Sequence, residues 1–217
     1  MRIRALAALP VLLALGAGAL EAQDRGMAIL RDAADRYGPV RSLCADFVQR
    51  LETPLLGTER TARGELCQEA PNLFAMRFTD PAGDVFVVDG EHVWYYFPSN
   101  DDKQVFQLPA SRGTRGLDFH REFLENPEQK YEVTYEGEEQ VGGSATHRLR
   151  LVPTTPQTYS AATLWIEQGT AILRQIQLVE ENGNRRTITL DRIRFDVIPP
   201  DGWFEFTPPP GTVVITR

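Results

Sequence analysis

The chain has 217 residues, of which 42% are apolar, and a formal net charge of −7. The first 22 residues hold 16 of the apolar ones, and the remainder is about 38% apolar, enough for one domain with its own core. No later run approaches the roughly 20 apolar residues of a membrane-spanning helix. The acidic balance, without a basic block, argues against nucleic acid and anionic lipid surfaces as partners.

Residues 1–22 read as a cleaved signal peptide and residues 23–217 as a single mature domain. Arg2 and Arg4 form a positive n-region and Ala5 to Leu15 an apolar h-region. Ala17-Gly18-Ala19 fits the small-residue cleavage pattern, with Leu20-Glu21-Ala22 a looser site three residues on. Cleavage after Ala22 is preferred because it leaves a polar Gln23-Asp24 start. Neither junction carries a cysteine for acylation, so the mature chain is expected to be exported and soluble.

The elements follow at short intervals. Met27, Leu30, Ala33, Ala34 and Tyr37 recur at helical spacing until Gly38-Pro39. Two strand-like runs, Leu43 to Thr53 and Glu59 to Glu69, flank a turn at Pro54 to Gly57. A hairpin pairing residues whose numbers sum to about 111 sets Thr53 opposite Thr58, Phe47 opposite Gly64 and Cys44 opposite Cys67. In an exported chain that register favours a cross-strand disulfide, with two free buried thiols as the alternative. Strands are expected next at Leu73 to Thr79, Val85 to Asp89, His92 to Phe97 and Gln104 to Leu108, then a helical stretch over Leu117 to Leu124. Further strands are expected at Tyr131 to Gly137, Ala145 to Val152, Thr163 to Glu167, Ile172 to Glu180 and Arg185 to Val197. Turn signals such as Asp80-Pro81, Asp89-Gly90 and Gly142-Gly143 separate them. About ten strands joined by short turns predict an antiparallel meander curled into a barrel or half-barrel.

In Phe74-Ala75-Met76-Arg77-Phe78 the large apolar groups share one face, and Arg77 alternates to the other. Val85 to Val88 and Val93 to Phe97 are apolar on both faces. A ligand cavity and a packed core both produce such strands, and periodicity alone favours the core. Chemistry is sparse. His92, His120 and His147 lack metal-ligand spacing, and neither a nucleophile elbow nor a phosphate loop is present. No metal, cofactor or catalytic residue is expected.

Several segments, in order along the chain, resemble one family. They are Phe47-Val48-Gln49, Ala70-Pro71-Asn72-Leu73-Phe74, Val88-Asp89-Gly90, Trp94-Tyr95-Tyr96, and the ending Phe204-Glu205-Phe206-Thr207-Pro208-Pro209 with Gly211. Together they resemble the periplasmic outer-membrane lipoprotein carriers, the LolA family. The resemblance implies a mainly β fold with a few helices, an incomplete, half-open antiparallel β-barrel whose apolar concave face is covered by a helical lid. It implies a monomeric, non-enzymatic periplasmic carrier of acyl chains. Its partners would be acylated lipoproteins, an inner-membrane lipoprotein-releasing transporter and an outer-membrane lipoprotein receptor. The acyl cavity would be lined by Phe47, Phe74, Met76, Phe78, Val87, Trp94 and Tyr96. A lipid or lipoprotein sensor, or a glycolipid-binding protein, on the same architecture is the alternative; a lipid-processing hydrolase ranks third. One departure stands out: the arginine that the family often carries before Pro-Asn-Leu-Phe, and uses to fasten the lid, is Ala70 here.

Overall fold

The computed structural model describes residues 15–112 and 119–216. Helix α1, Leu15–Tyr37, begins earlier than the periodicity predicts and ends where Gly38 donates its N–H to the Ala34 carbonyl at 2.8 Å. The n-region and all of the h-region before Leu15 lie outside the described residues. Twelve strands follow: β1 Ser42–Thr53, β2 Thr58–Glu69, β3 Leu73–Asp80, β4 Ala82–Asp89, β5 His92–Tyr96, β6 Gln104–Pro109, β7 Tyr131–Val141, β8 Ser144–Pro153, β9 Tyr159–Glu167, β10 Leu173–Glu180, β11 Arg185–Phe195 and β12 Val213–Thr216. The expected second helix is described only from Phe119, as a π-helical turn over His120–Leu124, and a short α2, Pro127–Lys130, leads into β7.

The twelve strands found among the described residues form one sheet in the order β12-β6-β5-β4-β3-β2-β1-β11-β10-β9-β8-β7. It is open, with β12 and β7 at its edges. The pairing departs from a pure meander twice. Strand β11 returns beside β1, and β12, absent from the sequence reading, pairs parallel to β6. The β1–β2 hairpin keeps the expected register throughout, Cys44 opposite Cys67 and Thr53 opposite Thr58. Its turn closes through Gly57, whose φ of 61° places it in the left-handed region and whose N–H reaches the Pro54 carbonyl. Cys44 and Cys67 are joined, with Cα atoms 4.1 Å apart.

The two faces of the sheet bury different things. The inner face wraps α1, and the core there joins Leu30, Ala33 and Tyr37 of the helix to Phe47, Phe74, Met76, Phe86, Leu149, Leu164, Ile176 and Ile188. Gly26 permits the close approach of α1 to β7: a Cβ there would stand 2.9 Å from the Tyr135 backbone nitrogen. The outer face of β3 to β5 carries a smaller apolar group, Ala75, Val85 and Val87 with Trp94 and Tyr96. Trp203, Phe204 and Phe206 of the C-terminal segment cover it.

Candidate functional site

Four of the seven expected lining residues meet on the inner face. Phe47 and Phe78 pack edge to face with ring centroids 5.0 Å apart, and the residue paired with both is Gly64. The missing side chain makes room for the two rings, because a Cβ on Gly64 would lie 2.1 Å from the Arg77 carbonyl oxygen and 2.9 Å from the Phe47 ring. Phe74 packs against Phe86 and Phe119, and Phe78 continues to Phe97. Met76 completes this wall and, like Phe47 and Phe74, is closed off from solvent. A wall of aromatic rings and a thioether binds apolar shape without demanding a single fit.

The interior is filled rather than hollow. Leu30 and Tyr37 of α1, Phe119, and Phe123 and Leu124 of the π-helical turn after it occupy the concavity. It opens at the end beyond the reach of α1, where a cleft of about 590 Å³ lies against Leu51, Ala62, Phe78, Tyr95 and Phe97. Arg60 and Arg186 stand at its rim; both pair with Leu51 across the sheet and so share its face.

The other three expected lining residues do not belong to that wall. Val87 pairs with Ala75 and Trp94, and Tyr96 pairs with Val85, so strand parity turns all of them to the outer face. Strands apolar on both faces gave no parity signal, and these three residues lie across the sheet from the Phe47 and Phe78 rings. There Trp94 and Tyr96 each lie 5.7 Å from the Phe206 ring. The Trp94 indole donates to Asp89 Oδ2 at 2.7 Å. Burial alone would raise the Asp89 carboxyl, but hydrogen bonds from the His92 and Glu91 amides and the Trp94 indole outweigh it and hold the group below its usual range. Arg77 faces outward as its alternation predicts. Its guanidinium donates to the carbonyls of Gly202, Trp203 and Glu205, fastening the C-terminal segment to the sheet.

Among the described residues, no arginine takes the place of the one missing at Ala70, whose N–H donates to the Arg41 carbonyl. A cleft of about 510 Å³ remains there, between Ala34 and Gly38 at the end of α1, Leu73, Leu124 at the end of the π-helical turn and Glu125 after it. That turn is held from another direction. Tyr131 of β7 donates to Glu122 Oε1 at 2.8 Å, Tyr159 of β9 donates to the same oxygen, and the two phenolic oxygens are 2.7 Å apart. Phe123 packs on both tyrosine rings, with centroids 5.9 and 6.0 Å away. Neither tyrosine stood out in the sequence; the available signal was an aromatic at the start of two strands.

His92 makes a tilted contact with Trp94, and His147 meets Tyr135 edge to face. The side chain of His120 lies outside the described residues. Among the described residues, the group of Cys44, Glu65 and Cys67 has metal-ligand proximity, but its cysteines are oxidised to the disulfide and offer no thiolate. No described helix is long and apolar enough to cross a membrane.

An open sheet curled about a helix, its inner wall aromatic and its outer face strapped by the C-terminus, makes a half-open antiparallel β-barrel. The family described as outer membrane lipoprotein carrier protein LolA matches residues 39–207, and the chain belongs to that family. It is 28% identical to the outer-membrane lipoprotein carrier protein of Yersinia pestis over 189 residues, covering 84% of this chain and 86% of that one. The protein of the same name from Alkalilimnicola ehrlichii is 26% identical over 216 residues, 99% of this chain and 96% of its own. Among solved structures, an uncharacterized conserved protein from Thermus thermophilus shares the fold with a TM-score of 0.55 at 16% identity, over 89% of this chain and 99% of that one.

Proposed function

We propose that this protein carries the acyl chains of lipoproteins across the periplasm, taking them from an inner-membrane lipoprotein-releasing transporter and handing them to an outer-membrane lipoprotein receptor. The observation that carries this reading is the inner wall of Phe47, Phe74, Met76 and Phe78, covered by a helix and a short turn and continued to solvent by Phe97. Exposing an acyl chain of about 15 methylenes costs on the order of 12 kcal/mol, so a carrier must cover most of it. From the filled state, the chain would start at the cleft beside Phe78 and take the place of Phe119 and Phe123 as it moved inward. Handover needs only a receptor that binds the chains better; the protein acts as a monomer without catalysis or cofactor. Residues 1–22 direct export, and removal after Ala22 or Ala19 releases the periplasmic form.

The test is co-expression with a triacylated lipoprotein, purification from the periplasm and native mass spectrometry. A stoichiometric acylated protein is expected with the wild type, and its loss with Phe78→Asp, a change at the floor of the open cleft. A folded wild-type protein that emerges without acylated cargo overturns the reading, as does turnover of an ester or glycolipid substrate.

A further inference from the structure

We infer that Glu122, Tyr131 and Tyr159 form a catch that sets how readily the π-helical turn leaves the inner wall, and hence how tightly acyl chains bind. This rests on the carrier reading and names residues that regulate its site. The turn over His120–Leu124 places Phe123 in the concavity, and Phe119 immediately before it packs against the Phe74 ring. These two rings occupy the space an acyl chain would need, so binding requires the turn to move.

The apolar surface that the turn loses on leaving is offset by the methylenes a lipid chain buries on the same wall, so the apolar exchange separates the two states little. The polar group on the turn does resist. The Glu122 carboxylate accepts from two phenols that are themselves buried, Tyr131 at 4% and Tyr159 at 3% exposure. The donors come from two different strands, β7 and β9, so the catch spans the sheet at the end where α2 enters. The Lys130 ammonium donates to the Glu122 carbonyl at 3.3 Å, an oxygen that is also the alternative acceptor for the single Tyr131 proton at 3.1 Å. Bonds of this kind are strong in a low-dielectric setting, and a ligand made of methylenes replaces none of them. Opening must therefore break the catch, and the apparent dissociation constant rises in inverse proportion to the open fraction. Glu122, Tyr131 and Tyr159 are positioning residues: they act on the acyl chain through the turn. Ala70 removes one fastening at the opposite side of the turn, and the catch holds the turn without it.

The test uses the full-length mature protein and two readouts. Tyr131→Phe/Tyr159→Phe keeps both rings packed on Phe123 and deletes only the donors; Tyr159→Phe alone is the milder variant. Hydrogen exchange reports opening of residues 119–124 against the strands β1 and β10. A dansyl-labelled undecanoic acid reports binding. The expected result is exchange at 119–124 faster by about tenfold with β1 and β10 unchanged, and probe affinity higher by a similar factor. A purely structural role predicts the opposite sign, weaker binding with faster exchange everywhere, and that result overturns the catch. So does unchanged exchange at 119–124. Selective exchange at the turn, with no probe binding by any form including the wild type, leaves the catch standing and defeats the carrier reading instead.

Discussion

At the scale of single residues, Arg77 and Gly64 illustrate how adjacent strands serve opposite faces. Arg77 sends four hydrogen bonds to three carbonyls of the C-terminal segment and lies 5.4 Å from the Trp203 ring. Arg77→Ala is expected to cost about 2–4 kcal/mol, since bonds to a charged donor contribute about 1.5–3 kcal/mol each and do not add fully. Urea denaturation measures the loss, and a red shift of tryptophan emission reports the freed segment. Gly64→Ala forces a methyl against the Arg77 carbonyl and the Phe47 ring; an overpacking cost of about 1–3 kcal/mol should appear as a lower urea midpoint. Tyr37 adds a pH dependence. Burial is the main reason its hydroxyl is pushed up to about 12, against an ordinary value near 10. A raised folded value means this contribution is intact below pH 10 and lost as the pH rises to 12, about 3 kcal/mol in all. Tyr131 and Tyr159 are shifted in the same direction, again chiefly by burial. Alkaline denaturation curves should therefore fall steeply above pH 10, and less steeply for Tyr37→Phe. The outward turn of Arg77 was legible from alternation, whereas the space kept by Gly64 depends on rings from two other strands.

At the scale of elements, the β1–β2 hairpin is where sequence reasoning reached furthest. A four-residue turn and two long runs admit few registers, and the one that aligned the cysteines is the one observed. The disulfide closes a loop between residues 23 apart. Cys44→Ala/Cys67→Ala is expected to lower stability by about 2–4 kcal/mol while the circular dichroism of the sheet persists. Parity failed on β4 and β5 for a physical reason. Both faces of those strands are apolar because both are covered, and the outer cover arrives from residues more than a hundred positions away. Strand β12 was missed for a related reason: four residues beyond a proline-rich segment form a strand only because the edge of β6 is there to pair with. Trp94→Ala separates the two faces experimentally. It should destabilise the fold by about 2 kcal/mol, as truncation of a half-buried aromatic does, and leave the affinity for the dansyl fatty acid unchanged.

At the scale of the whole molecule, the apolar residues serve two compartments on either side of a single sheet. Among the described residues the outer one is covered by the C-terminal segment, with Trp203, Phe204 and Phe206 lying on Trp94, Tyr96 and Val87. Deleting residues 198–217 should expose that face and produce a protein that binds anilinonaphthalene sulfonate and elutes as oligomers; a monomeric, dye-negative truncation would contradict it. The family and the half-open barrel were legible from ordered motifs and turn spacing. Periodicity alone favours the packed core that fills the interior, whereas the resemblance argues for a cavity; the identity of the turn that fills it was not legible, because its apolar residues are those of any core.

That filling has a calorimetric consequence. An acyl chain that displaces Phe119 and Phe123 from the inner wall buries its own methylenes while returning comparable apolar surface of the turn to water. The heat capacity of binding follows the net change in hydrated apolar area. Loading should thus be nearly silent in that quantity, unlike insertion of the same chain into a bilayer or into a preformed cavity filled with water.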